Sequence, residues 1–130
     1  MIGIIEDKRI VFRIQSKVYW RIDRADFEDL ISELLMNARD FSDKVNGVIL
    51  IEILKDGHSL TIRVADNGKG VHPEVLPHLF QMFKRYPPSR MGLGLAYARA
   101  LVSSYGGEIS VKSEFGKGAA FCVVIHNKNK

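Results

Sequence analysis

The sequence predicts an α/β domain: a two-layer sandwich with a mixed, mainly antiparallel sheet and three helices on one face. Three observations lead there. β-Branched and aromatic runs come in pairs separated by short turns, which is the pattern of hairpins. Segments of helical period stand between those pairs, an order that does not suit a parallel doubly wound sheet. The chain has 130 residues, 46% hydrophobic and 26% charged, enough for one buried core and a single domain over residues 1–130.

Taken in order, Arg9–Ile14 and Lys17–Ile22 are strand-like runs with only Gln15-Ser16 between them, and they predict a hairpin within residues 1–22. Asp23 offers a helix N-cap, with the acid Asp26 three residues on. From Phe27 the apolar positions Leu30, Ile31, Leu34, Leu35, Ala38 and Phe41 recur at i+3, i+4, i+7, i+8, i+11 and i+14, the spacing of an amphipathic helix. Val48–Lys55 and His58–Ala65 predict two strands joined by Asp56-Gly57, a favoured two-residue loop. In the second strand Leu60, Ile62 and Val64 share a face, and Asp66 continues their parity toward the core. Pro73 to about Arg85 predicts a helix broken near Pro77. Tyr86-Pro87-Pro88-Ser89-Arg90-Met91 cannot be regular, because two prolines remove donors and fix φ. Leu93–Tyr105 predicts a helix stopped by Gly106-Gly107. Glu108–Ser113 and Ala119–Ile125 complete about six strands, around the turn Phe115–Gly118. The polar tail, Asn127–Lys130, is expected to fray.

Charge and cysteine content narrow the function classes. Lys and Arg number 19 against 15 acids, a net +4 that suits an anionic ligand but lacks the dense basic patch of a nucleic-acid binder. No apolar run approaches the ~20 residues of a membrane span, and the start, Met1–Asp7, is too short and acidic for a signal peptide. The single Cys122 excludes an internal disulfide and a cysteine zinc site, and a reducing cytoplasmic setting is the default.

Four features could carry chemistry. Glu33, Asn37 and Asp40 lie at i, i+4 and i+7 on the first helix, a narrow polar sector beside its apolar face. Such a stripe is ordinarily a solvated helix edge, but an Asn flanked by carboxylates can also orient hydrated magnesium, which takes oxygen ligands. Asp66 on a buried parity is costly unless it is paired. Either it rolls out to start the turn Asp66-Asn67-Gly68-Lys69-Gly70, or it is a buried acceptor for one ligand donor, with Gly68 and Gly70 allowing close approach. Gly92-Leu93-Gly94-Leu95 opens a helix, whose free N–H groups can receive an anion; Lys84, Arg85 and Arg90 precede it. Phe80 and Phe83, at helical spacing, read as an anchor for the loop after them. The histidines, His58, His72, His78 and His126, form no cluster.

In this order the segments resemble the catalytic ATP-binding domain of sensor histidine kinases, over about Asp23–Ile125. Glu33-Leu34-Leu35-Met36-Asn37-Ala38 is similar to the family's asparagine box and Asp66–Gly70 to its first glycine box. Leu79-Phe80-Gln81-Met82-Phe83 is similar to its phenylalanine box and Gly92–Leu95 to its second glycine box. The resemblance implies the Bergerat nucleotide fold and a protein-histidine kinase domain that binds ATP and magnesium. It implies Asn37 as magnesium ligand and catalytic residue, with Glu33 a second candidate for both roles, and Asp40 close to the nucleotide. Asp66 would receive the adenine amine, and Gly68 and Gly70 would line the base pocket. Residues 84–91 would form a short ATP lid, Arg85 would face phosphate, and the backbone of Gly92, Leu93, Gly94 and Leu95 would cradle the phosphates.

The implied partners are a histidine-bearing dimerisation domain, in the same longer protein or in trans, and downstream a response regulator. Nucleic acid and direct membrane contact by this domain are not implied, although the full-length protein could be membrane-anchored. The acceptor hairpin of the family does not fit within these 130 residues. Three positions depart from the family pattern. Asp40 stands where a basic residue is frequent, Pro87-Pro88 and Arg90 occupy a short lid, and Ala119 replaces a hydroxyl residue that helps hold a water near adenine. Glu33 with Asp40 also resembles the helix of DNA gyrase, the mismatch-repair ATPases and the heat-shock chaperone of the superfamily, where the glutamate is a general base. An ATP hydrolase or serine kinase, or a non-catalytic nucleotide- or partner-binding module, are therefore the alternatives.

Overall fold

The structure is a computed structural model, and it describes residues 2–5, 8–15, 17–40, 47–80 and 94–126. Its elements are β1 (Ile2–Ile5), β2 (Lys8–Ile14), α1 (Arg24–Asp40), β3 (Val48–Asp56), β4 (Ser59–Asp66), a 3-10 turn (Leu76–His78), α2 (Leu95–Ser104), β5 (Gly107–Glu114) and β6 (Gly118–His126). The six strands form one sheet in the order β1-β2-β3-β4-β6-β5. Only β2 and β3 run parallel, and α1 makes the crossover between them, as a parallel pair requires. The α/β class and the mixed, mainly antiparallel sheet are as the sequence predicts.

α1 forms where its periodicity places it. Asp23 Oδ1 accepts the N–H groups of Ala25 and Asp26 at 2.9 and 3.2 Å, so it is the N-cap. Asp26 serves the same end indirectly. The Asp23 N–H donates to the Tyr105 hydroxyl at 3.1 Å, and that hydroxyl donates to Asp26 Oδ2 at 2.6 Å. A tyrosine at the C-cap of α2 thus bridges the two halves of a capping box on α1.

α1 packs on β3, β4, β6 and α2, while α2 packs on β5. The core lies between these helices and one face of the sheet. Leu30, Leu34 and Ala38 of α1 and Ala98 and Val102 of α2 meet Ile49, Ile51, Leu60, Ile62, Val64, Phe121, Val123 and Ile125. The opposite face is polar in its centre: Glu52 pairs with Arg13 at 3.2 Å and with Arg63 at 2.9 Å. One wet and one buried face is the usual condition of an antiparallel sheet.

Three expectations need correction. First, the N-terminal hairpin consists of β1 and β2, not of Arg9–Ile14 with Lys17–Ile22. Lys17 takes a positive φ of 61°, and residues 18–22 join no ladder. Val18, Trp20 and Ile22 lie half-buried against the core while Tyr19 is 76% exposed. An extended segment laid along a core alternates with period two just as a strand does, which is why the pattern misleads.

Second, the middle helix predicted over Pro73–Arg85 is, in its described part, a set of turns around the 3-10 segment Leu76–His78. Pro77 has no N–H to continue an α-helical ladder, and His78 and Leu79 instead bond to the carbonyls of Val75 and Leu76, three residues back. The helical layer over the described residues therefore holds two α-helices rather than three; residues 81–85 lie outside the described residues.

Third, the β3–β4 loop is Gly57-His58, one residue later than predicted, because Asp56 pairs with Ser59. Gly57, at φ 61°, supplies the positive φ that a two-residue hairpin needs at its first position.

Candidate functional site

The polar stripe of α1 is not a solvated edge. Glu33 is 5% and Asn37 2% exposed, both turned inward with Leu30 and Leu34. The Asn37 amide folds back along its own helix and Nδ2 donates to the Glu33 carbonyl at 2.8 Å. The Glu33 carboxylate reaches out of α1 instead, where Oε1 accepts the N–H of Gly94 at 3.2 Å. Gly94 is the N-cap of α2, and its φ of 85° with ψ of 175° is accessible only to glycine. Its carbonyl accepts the Ala98 N–H at 3.3 Å and so opens the helix. Glu33, Asn37 and the start of α2 thus form one hydrogen-bonded unit. It sits at the positive end of a helix, where negative charge is stabilised.

Asp66 ends β4 on the parity of Leu60, Ile62 and Val64, opposite Ile49 of β3 and Ala119 of β6. It remains in the strand as its last residue. Oδ1 accepts the Gly68 N–H at 2.8 Å. Oδ2 is buried and has no hydrogen-bond partner in the structure. Burial pushes the Asp66 pKa up, and the backbone N–H groups of Gly68 and Ala119 pull the other way. A buried acceptor without a donor is costly in the unliganded fold, and a ligand N–H would satisfy it.

The loop after Asp66 is fastened on both sides. Asn67 Oδ1 accepts the Val48 N–H at 2.9 Å, and Ser113 Oγ accepts the Val71 N–H at 2.8 Å. His72 meets Phe115 edge-on, with ring centroids 5.1 Å apart. Gly68 and Gly70 are both buried. A Cβ on Gly70, at φ 77°, would stand 2.8 Å from the Glu114 carbonyl oxygen and 3.0 Å from that of Gly118. Its requirement for glycine therefore comes from the β5–β6 turn. Neither Ser113 nor Asn67 stands out in the sequence as more than a strand and a turn residue, so their role becomes visible only with the pairing of β5 and β6.

Of the remaining predicted residues, Leu95 is buried at the first position of α2. Asp40, at the end of α1, keeps its carboxylate buried, with Arg39 Nε 4.0 Å from Oδ1. Phe80 is half-buried and carries the Arg99 guanidinium 6.0 Å from its ring centroid. Arg85, Gly92, Leu93, Phe83 and the segment 84–91 lie outside the described residues. Two of the histidines take structural parts: His126 Nδ1 lies 3.0 Å from Ser59 Oγ, and His72 Nδ1 accepts the Glu74 N–H at 3.1 Å.

The donor set suits a nucleotide with magnesium. The partnerless Oδ2 of Asp66 asks for a hydrogen-bond donor. Asn37 commits its Nδ2 to the helix, which leaves its carbonyl oxygen as the group for a hard cation. Among the described residues no three His, Cys, Asp or Glu side chains gather to hold a metal. Asn37, with Glu33 one helical turn before it, is what α1 would offer a magnesium ion held by phosphate oxygens.

Sequence comparison decides the family. The family of histidine kinase-, DNA gyrase B-, and HSP90-like ATPases matches residues 22–129. The chain belongs to this family. Within it, the chain is similar to sensor histidine kinases. It is 33% identical over 113 residues to the circadian input-output histidine kinase CikA of Synechocystis, covering 82% of this chain and 15% of that protein. To the sensor histidine kinase RcsC of Escherichia coli it is 38% identical over 104 residues, 75% of this chain and 11% of that one. The chain thus spans less than a fifth of the length of these relatives. Full-length ShkA in complex with AMPPNP superposes with a TM-score of 0.75 at 28% identity, over 91% of this chain and 25% of ShkA. The mycobacterial sensor histidine kinase MprB shares the fold, with a TM-score of 0.75 at 22% identity, over 92% of this chain and 82% of that one. No helix among the described residues of this ATPase-family domain is long and apolar enough to cross a membrane.

Proposed function

We propose that this domain binds ATP with magnesium and donates the γ-phosphoryl group to a histidine on a separate dimerisation domain. That domain would lie in the same longer protein or act in trans, with a response regulator downstream. In the transfer the bond from the γ-phosphorus to the β–γ bridging oxygen breaks, a P–N bond to the imidazole forms, ADP leaves with the bridging oxygen, and the imidazole releases its N–H proton to solvent. The observation that carries the reading is the buried Oδ2 of Asp66, an acceptor with no donor of its own. An exocyclic amine of adenine supplies that donor. The likeness to sensor histidine kinases and the AMPPNP complex of ShkA support the same ligand.

In this reading residues 1–130 are one domain of Bergerat type. Phosphoryl transfer asks a protein for positioning and charge compensation more than for covalent chemistry. Bound magnesium supplies charge neutralisation at the phosphates. Asn37 offers that ion a carbonyl oxygen, and Glu33 lies one turn before it. Asp66 orients the base, while Gly68 and Gly70 shape the turn beside it. In the second glycine box Gly92, Leu93 and Leu95 would offer backbone N–H groups to phosphate while the Gly94 N–H stays on Glu33, Arg85 would add a cation from the lid at 84–91, and Asp40 lies at the end of α1. The domain works at the cytoplasmic side, without contacting membrane or nucleic acid.

The test is a transfer assay with γ-labelled ATP and an added acceptor-histidine domain of a related kinase. Label on the acceptor, dependent on magnesium and on Asp66, is the expected result. Binding of nucleotide with no label on any acceptor would leave a non-catalytic module instead. A second reading, an ATP hydrolase, is favoured by one observation: a buried carboxylate, Glu33, one helical turn from Asn37. Brisk hydrolysis without an acceptor, lost in Glu33→Gln, would establish it.

A further inference from the structure

We infer that Tyr97 is a positioning residue: its bond to Asp29 fixes the rotation of the first turn of α2 against α1, and so aims that turn at the phosphates. That role presupposes the nucleotide reading of this site. The two helices run antiparallel along a polar seam. Gly94 meets Glu33, Tyr97 meets Asp29 and Tyr105 meets Asp26, so successive contacts fall along α1 as they rise along α2. The Tyr97 hydroxyl donates to Asp29 Oδ2 at 3.1 Å. Its pKa is held above the ordinary tyrosine value, chiefly by this bond.

Tyr97 stands at the third position of α2, in the turn whose backbone N–H groups have no partner within the helix. Leu95 and Ala98 are buried and hold this turn on the core, but apolar contact has no preferred direction. The N-cap, Gly94, has no side chain, and its N–H is held at one point by Glu33. A helix pinned at one point can still rotate about it. A second, directional bond three residues on removes that freedom, and Tyr97 supplies it. Asp29 lies about two turns before Asn37 on the same helix. The bond therefore ties the start of α2 to the residue read here as the magnesium ligand. Tyr105 has the same chemistry at the other end of α2, but there it serves the cap of α1. It is the natural control.

The test introduces Tyr97→Phe into wild type and into Asp29→Ala, on the whole chain. AMPPNP affinity with magnesium is read by calorimetry and adenosine affinity by NMR shift titration. Hydrogen exchange of the Ala98 amide, which donates to the Gly94 carbonyl and opens α2, is read without nucleotide. In wild type, Tyr97→Phe should weaken AMPPNP about threefold or more, leave adenosine within about twofold and speed Ala98 exchange. In the Asp29→Ala background the same change should cost nothing further. Tyr105→Phe should leave both affinities within about twofold and Ala98 exchange unchanged. An equal loss of AMPPNP and adenosine would reduce Tyr97 to a structural part and overturn the inference. So would unchanged AMPPNP affinity, or a loss as large in Asp29→Ala as in wild type. If wild type binds neither ligand, the nucleotide reading fails, while Ala98 exchange in Tyr97→Phe still decides whether the bond holds the turn.

Discussion

Asp66 shows how a single residue can be legible in kind and still need the structure for its meaning. Its parity on β4 follows from Leu60, Ile62 and Val64, but whether it rolls out into the turn is settled by pairing with Ile49 and Ala119. Two consequences belong at this scale. Asp66→Asn should weaken adenine-nucleotide binding more than tenfold, about 1.4 kcal/mol, read by calorimetry. The same change should flatten the pH dependence of the unliganded fold. Burial raises the Asp66 pKa, so the folded state keeps its proton to higher pH than the unfolded chain. The cost of ionising this carboxyl is absent below the unfolded value and fully present above the folded one. Stability contributed here therefore falls as pH rises from the ordinary aspartate value to the raised one. Denaturation of wild type and Asp66→Asn across that window checks the sign. Gly70→Ala tests the turn beside it. With φ at 77° and the Glu114 carbonyl in the way, the variant should lose about 1–3 kcal/mol of unfolding free energy.

At the scale of elements, legibility followed the source of the periodicity. α1 was readable because its pattern, N-cap and apolar face come from one helix packing on one sheet. Asp23→Ala should accordingly cost about 1 kcal/mol, measured by urea unfolding. Tyr105→Phe, which cuts the bridge from the Asp23 N–H to Asp26, should lower the melting temperature as well. Residues 18–22 carry a strand-like pattern because burial along a core and pairing in a ladder produce the same alternation in sequence. β1 was missed because four residues give too little pattern to weigh, and β2 is what makes them a strand. The 3-10 turn at Leu76–His78 has the apolar spacing of a helix, but Pro77 withholds the donor an α-helix needs there.

For the whole molecule, ligand and fold are linked by mass action. A nucleotide that binds only the folded domain should stabilise it by about 2.7 kcal/mol at one hundred times its dissociation constant. Thermal melts of wild type and Asp66→Asn with AMPPNP and magnesium check this: the shift should be present in wild type and largely lost in the variant.

The order of the boxes, the helix around Asn37 and the strand that carries Asp66 were settled along the chain. They depend on neighbours within a turn or a hairpin, and local spacing encodes such neighbours directly. The partnership of Glu33 with Gly94, the clamp of Ser113 on the first glycine loop and the bridge of Tyr105 to α1 join residues 42 to 82 positions apart. Contacts at that separation leave no period in the sequence. They appear only when the β6 strand enters the sheet between β4 and β5 and the two helices close over one face.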